Sequence, residues 1–187
     1  MRIAVSGTHF IGKSTLIADF IQKYPDYIDV NEPYDELQDI KTMELALEPS
    51  LDSLLEELDY SILQLNRYAN EKNIIYDRCP IDFIAYAMCS LERDLVDIHD
   101  SSVSEKFTEI KQALSHLDLI IFLPITKEHL LDYTEENPAF RKATDKCFKK
   151  IFRDEICDVF PKYGHPKIIE IWGDRLQRLK ILESYII

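Results

Sequence analysis

Arg2-Ile3-Ala4-Val5-Ser6-Gly7-Thr8-His9-Phe10-Ile11-Gly12-Lys13-Ser14-Thr15-Leu16 is the stretch from which the fold is read. A short β-branched run, Ile3–Ser6, stops at a glycine, a second glycine follows at position 12, and helical spacing starts at Lys13 and continues to about Lys23. Gly7 to Ser14 fit GxxxxGK[ST] directly after a predicted strand and at the opening of a predicted helix, the context that gives the pattern its meaning. Two glycines let the backbone curl so that successive N–H groups point inward at an anion. The helix N-terminus adds partial positive charge. In such a loop Lys13 reaches the β- and γ-phosphates of a bound nucleotide and the Ser14 hydroxyl ligates Mg²⁺, while Thr8, His9, Phe10, Ile11 and Thr15 complete the cradle. The chain has four glycines in all, and two of them stand here, which argues against a coincidental turn.

Working outward, four more short apolar runs stand out: Tyr27–Asn31, Asn73–Asp77, Leu119–Leu123 and Lys167–Ile171. Most are continuous rather than alternating, as for strands covered on both faces of a parallel sheet. Between them lie amphipathic helical patterns: Leu51, Leu54, Leu55, Leu58, Ile62 and Leu65 on a helix running to about Lys72, then Ile81, Ile84, Ala85 and Met88 after Pro80, and Phe140, Cys147, Phe148, Ile151 and Phe152. Strands alternating with helices predict an α/β chain with right-handed crossovers. At 187 residues the chain suits one domain, residues 1–187.

Composition narrows the function classes. Lys plus Arg number 22 and Asp plus Glu 34, a formal net charge of −12. A body this acidic is a poor partner for nucleic acid or an anionic membrane. No apolar run approaches the roughly 20 residues of a spanning helix, and the apolar start is too short for a secretory signal. Cys79, Cys89, Cys147 and Cys157 show neither CxxC pairing nor metal-ligand spacing with the histidines, so the expectation is a cytoplasmic chain with reduced thiols.

Asn73-Ile74-Ile75-Tyr76-Asp77-Arg78 is an apolar strand ending in an acid. Asp77 can hold Mg²⁺ or accept a proton from a hydroxyl, and Arg78 can clamp phosphate with its fork of donors. The competing reading is that Asp77 only caps the helix starting at Pro80. Asn31-Glu32-Pro33 follows the second strand, which sets Glu32 at the same edge as the glycine loop or leaves it an exposed loop carboxylate.

The glycine loop together with Asp77-Arg78-Cys79-Pro80-Ile81-Asp82-Phe83-Ile84-Ala85-Tyr86 resembles P-loop kinases of small metabolites. The chain is most similar to AAA-like ATP-binding domains related to nicotinamide riboside kinase, and resembles thymidylate and deoxynucleoside kinases, from Arg2 to about Leu182. The resemblance implies a P-loop NTPase three-layer αβα sandwich with a five-stranded parallel sheet in the order 2-3-1-4-5, and a helical lid over about 125–153. It implies ATP and Mg²⁺ as cofactors, with Ser14 and Asp77 at the metal and a small nucleoside- or nucleotide-like phosphate acceptor. Lys13, Asp77, Arg78, Glu32 and Arg141 are then the catalytic set, with Glu32 as base and Asp77 at the metal, or the reverse.

Acceptor contacts expected on this basis are Glu32, Gln64, Arg67, Arg78 and Asp82. Gln64 and Arg67 share a face with Tyr60 opposite the leucine stripe, a face that meets solvent in most such helices. Arg141 leads a basic run, Arg141, Lys142, Lys146, Lys149, Lys150 and Arg153 against the single acid Asp145, which the resemblance makes a lid closing on the transferring phosphate, with the preceding Glu-Glu-Asn-Pro as hinge. Trp172, Gly173 and Arg175 follow the fifth strand, where the resemblance puts the adenine border; a tryptophan closing the sheet edge is the plainer alternative. GTPases need an Asn-Lys-x-Asp guanine reader that is missing here, and AAA+ motors end the third strand in Asp-Glu. An ATP-binding regulatory module with slow or no acceptor phosphorylation is the other function class left open, as is assembly into a homodimer.

Overall fold

The computed structural model describes residues 1–33, 51–94 (91–94 by backbone alone), 106–126, 138–164 and 166–186. Five strands, β1 (Arg2–Ser6), β2 (Ile28–Val30), β3 (Ile74–Asp77), β4 (Leu119–Phe122) and β5 (Lys167–Glu170), form one sheet in the order β2-β3-β1-β4-β5, every pair parallel. Six helices are described: α1 (Lys13–Lys23), α2 (Leu51–Arg67), α3 (Pro80–Asp94), α4 (Phe107–Leu114), α5 (Pro138–Asp154) and α6 (Arg175–Ile186). This is the P-loop NTPase αβα sandwich implied by the sequence.

The three central strands are buried along almost their whole length, and their side chains sort by the two-residue period. Ile3, Val5, Ile75, Leu119, Ile121 and Leu123 pack with Leu16, Ile17 and Phe20 of α1 and Leu182 of α6. Ala4, Ile74, Tyr76, Ile120 and Phe122 face the larger layer built from α2 to α5. Each face therefore buries its own apolar set, which is why the runs read as continuous. Phe122 stacks on Phe148 and Phe152 at 5.6 and 4.9 Å, fastening α5 to the sheet.

Two details differ from expectation. Helix α2 ends at Arg67 rather than near Lys72, because Ala69 N donates to Asn66 O, tightening the turn, and Asn73 adopts φ 58 to enter β3. The face of α2 expected to meet solvent is also partly covered: Glu57, Ser61 and Gln64 are buried although Arg67 is exposed. Helix α2 packs against both α3 and α4, so its buried sector is wider than the leucine stripe.

Candidate active site

Parallel pairing brings the turns after all five strands to the carboxyl edge of the sheet. Val5 is in register with Asp77 and Ser6 with Phe122, so the glycine loop after β1 lies between the end of β3 and the end of β4. The loop itself can only be built with glycines at its ends. Gly7 has φ +147, and a Cβ there would stand 2.8 Å from Leu123 O; Gly12 has φ +94. Helix α1 has no side-chain cap, so its first N–H groups have no side-chain acceptor and remain available to an anion.

Four cations hold the loop by its carbonyls. Arg78 Nη1 donates to Gly7 O at 3.3 Å, Lys13 Nζ to Thr8 O at 3.3 Å, Arg141 Nη2 to Phe10 O at 3.0 Å and Arg178 Nη1 to Ile11 O at 2.6 Å. In a trans peptide the N–H points opposite the carbonyl, so each tie turns the following amide to the other side. His9 is fixed differently, its amide donating to the Tyr86 hydroxyl at 2.9 Å. Behind the loop Asp82 is fully buried and accepts from Ser6 Oγ at 2.6 Å, Gly7 N at 3.1 Å and Cys79 N at 3.1 Å.

Ser14 Oγ donates to Asp77 Oδ2 at 2.7 Å. The second oxygen, Oδ1, is buried with no hydrogen-bond partner among the described residues. An orphaned carboxylate oxygen in this position is costly unless something outside the chain takes it. Mg²⁺ fits: it takes one or two protein oxygens and completes its shell with water and phosphate. No group of three or more His, Cys, Asp or Glu gathers among the described residues, so the alternative of an all-protein metal cage has no candidate there.

Arg78 sits at φ 75, strained for a non-glycine residue, and is buried. Its Nε lies 2.5 Å from Glu32 Oε1, its Nη1 3.5 Å from Asp82 Oδ1, and its guanidinium 5.2 Å above the Tyr86 ring. Burial raises the Glu32 carboxyl, but the charges of Arg78 and Lys13 outweigh it and leave it below its ordinary value. Burial, then Arg78, push the Lys13 ammonium down against the pull of Asp77, Glu32 and Asp82. Glu57 goes the other way: burial lifts it to about 7 despite the nearby charge of Arg78.

On the outer side of the loop is an open pocket of about 310 Å³ lined by Phe10, Gly12, Thr15, Gly173, Arg175 and Arg178, among others. Its size and its position beside the α1 N-terminus suit the base of a nucleotide.

A family model described as an AAA domain matches residues 2–178. The chain belongs to that AAA domain family. Its fold is shared with deoxyadenosine kinase from M. mycoides solved with bound dATP (TM-score 0.65, 18% identity, covering 100% of this chain and 99% of that one). It is also similar to thymidylate kinase from Candida albicans (TM-score 0.57, 20% identity, 98% and 89% covered) and to NadR protein in complex with NR (TM-score 0.59, 14% identity, 92% of this chain but 43% of that one). No curated protein matches the sequence.

Within this AAA-family chain, Gly7 to Ser14, Asp77, Arg78 and Glu32 come together as one cluster. Gln64 lies nearby, its Nε2 donating to Asn31 O at 3.2 Å beside Glu32. Arg67 does not join them; it is exposed with its guanidinium 5.5 Å over the ring of Tyr68. Asp82 stands behind the loop with both oxygens engaged rather than open to a cleft. Arg141 is 1% exposed on the well-packed α5, whereas Lys142 and Lys146 face solvent. Within the basic run Lys149 pairs with Asp145 and Arg153 with Glu170. The Glu135–Asn137 part of the expected hinge lies outside the described residues. Arg175 lines the open pocket while pairing with Asp19, and Trp172, 53% exposed, lines an adjoining hollow with Gln177. Sequence reasoning missed Glu57 as a buried carboxyl and Arg178 as a loop tie; neither stands in a motif.

Proposed function

We propose that this chain transfers the γ-phosphoryl group of ATP to a hydroxyl or phosphate of a small nucleoside- or nucleotide-like acceptor. The observation that carries the reading is the Ser14–Asp77 pair beside Lys13, with Asp77 Oδ1 left unpartnered. Ser14 and Asp77 would hold Mg²⁺, which would supply positive charge to offset that of the phosphates.

The chain's own residues do the positioning. Backbone N–H groups of the loop and the α1 N-terminus bind phosphate, and Lys13 sets a cation against the β/γ region. Glu32, ionised at neutral pH, takes the acceptor proton, and Arg78 orients Glu32 through the 2.5 Å contact. Gln64 reads the acceptor from the α2 side. The segment expected as a lid, about 125–153, includes α5, which Phe148 and Phe152 fasten to the sheet, and residues 127–137, which lie outside the described residues. In this reading Arg141 braces the glycine loop. The kinase likenesses support a nucleoside or nucleotide as acceptor.

A screen of nucleosides, nucleoside monophosphates and pyridine ribosides for acceptor-dependent ADP release, with Lys13→Ala as control, tests the reading. Release that needs both acceptor and Lys13 supports it. ATP binding without ADP release in every arm overturns it in favour of a regulatory nucleotide-binding module.

A further inference from the structure

Arg178 belongs to no motif, yet it occupies the wall between the two halves of the nucleotide site. It is 7% exposed at the start of α6. Its Nε donates to Gly173 O at 2.9 Å, on the loop after β5, and its Nη1 donates to Ile11 O at 2.6 Å, on the glycine loop. One planar guanidinium thus fastens two loops from different strands, and both loops line the 310 Å³ pocket together with Arg178 itself. Gly12 is part of the same construction: a Cβ at that position would lie 3.1 Å from Arg178 Nη1. The absence of that Cβ lets the guanidinium reach the Ile11 carbonyl. That carbonyl in turn sets the direction of the Gly12 N–H, at the mouth of the phosphate cradle.

Burial lowers the Arg178 pKa, opposing its charge, so the arginine is held there at a cost. Bracing one loop would need one donor. Arg178 supplies two, to two carbonyls, in the fork geometry that a lysine ammonium cannot copy.

We propose that Arg178 is a positioning residue that couples occupation of the base pocket to the geometry of the phosphate loop, so that a nucleoside triphosphate is held better than a bare polyphosphate. A base between Gly173 and Thr15 fixes the Gly173 loop, Arg178 transmits that constraint to Ile11 O, and the amides from Gly12 onward settle on the phosphates. The inference rests on the nucleotide-binding half of the proposed function and not on any particular acceptor.

The test compares Mg-ATP with Mg-tripolyphosphate, each titrated calorimetrically against wild type, Arg178→Gln and Arg178→Lys, with thermal melts of all three. Wild type binds ATP more tightly. In Arg178→Gln the ATP affinity falls about tenfold, an ordinary magnitude for coupled sites, and the tripolyphosphate affinity changes much less. Arg178→Lys keeps the charge and loses the fork, so it follows Arg178→Gln even where its melting temperature is that of wild type. Equal losses for both ligands, or an unchanged preference for ATP in a folded variant, overturn the coupling and leave the kinase reading standing. A wild-type chain that binds tripolyphosphate as well as ATP removes the base pocket and the coupling with it. One that binds neither overturns the nucleotide reading itself.

Discussion

Arg78 Nε lies 2.5 Å from Glu32 Oε1, a contact that joins the turn after β3 to the turn after β2 across 46 residues of sequence. The pair holds the Glu32 carboxylate ionised beside Lys13. Glu32→Gln keeps the shape and removes the charge, so turnover falls by about 10² to 10⁴, the usual worth of a positioned base. Stability changes as well. The Glu32 carboxyl is depressed in the folded chain, so its contribution is present above the ordinary 4.5 and is lost as pH falls through the lower folded value. The melting-temperature gap between wild type and Glu32→Gln is therefore widest near neutrality and closes in acid. Unchanged turnover in the variant would remove Glu32 from the chemistry.

Glu57 gives the opposite pH signature. Its folded value of about 7 stands above the ordinary 4.5, so the folded chain holds a proton that the unfolded chain releases between those limits. Stability from this group is fully present below 4.5, declines as pH rises, and is lost above about 7. The span corresponds to roughly 3 kcal/mol. Glu57→Gln, which needs no proton, is therefore more stable than wild type at pH 8 by an amount of that order, and equal to it in acid. Chemical denaturation across the pH range measures this; a constant difference at every pH would contradict it.

What was legible in the sequence was what is local. The glycine loop and the five strands were readable because a motif fits within eight residues and continuous apolar runs report coverage on both faces, whereas the strand order came only from the family resemblance. Asp77 and Arg78 were readable because they end such a run. Gln64 was singled out only through the family resemblance, and the burial of Glu57 was not legible, because helical spacing names one stripe while packing of α2 against both α3 and α4 buries a second sector. Asp82 was expected at the acceptor but braces the loop from behind, and the role of Arg178 as a loop tie was not legible, for a related reason. Their roles depend on which backbone atoms lie opposite, and no periodicity in their own helices encodes Gly7 N, Gly173 O or Ile11 O.

Asp77→Asn tests whether the acid serves Mg²⁺ or only holds Ser14. Among the described residues neither Asp77 oxygen caps α3, since Oδ2 accepts from Ser14 Oγ and Oδ1 has no partner. Asn keeps an oxygen for Ser14, so the melting temperature moves little. Turnover falls by about two orders of magnitude and the Mg²⁺ concentration needed for half-maximal rate rises. Ser14→Ala shifts the Mg²⁺ requirement in the same direction. An Asp77→Asn chain that is unstable yet fully active per folded molecule would leave Asp77 a structural partner of Ser14 only.

Arg141 separates a brace from a lid. Its guanidinium is 1% exposed and its Nη2 donates to Phe10 O at 3.0 Å, tying α5 to the tip of the glycine loop. A group that meets phosphate only on closure would be free to move in the open state, and its removal would lower kcat while leaving ATP affinity and stability near wild type. A buried group tied to the loop behaves otherwise. Arg141→Ala removes a charge-assisted hydrogen bond together with the packing of a long side chain in a filled layer, a loss of about 1.5–3 kcal/mol for the bond alone. The expected result is a lower melting temperature and weaker ATP binding together, with kcat at saturating ATP reduced less than the affinity. Arg141→Lys keeps the charge but cannot repeat the planar donor geometry, so it recovers stability only in part. A stable Arg141→Ala chain with intact ATP affinity and kcat reduced a hundredfold would return Arg141 to the transferring phosphate.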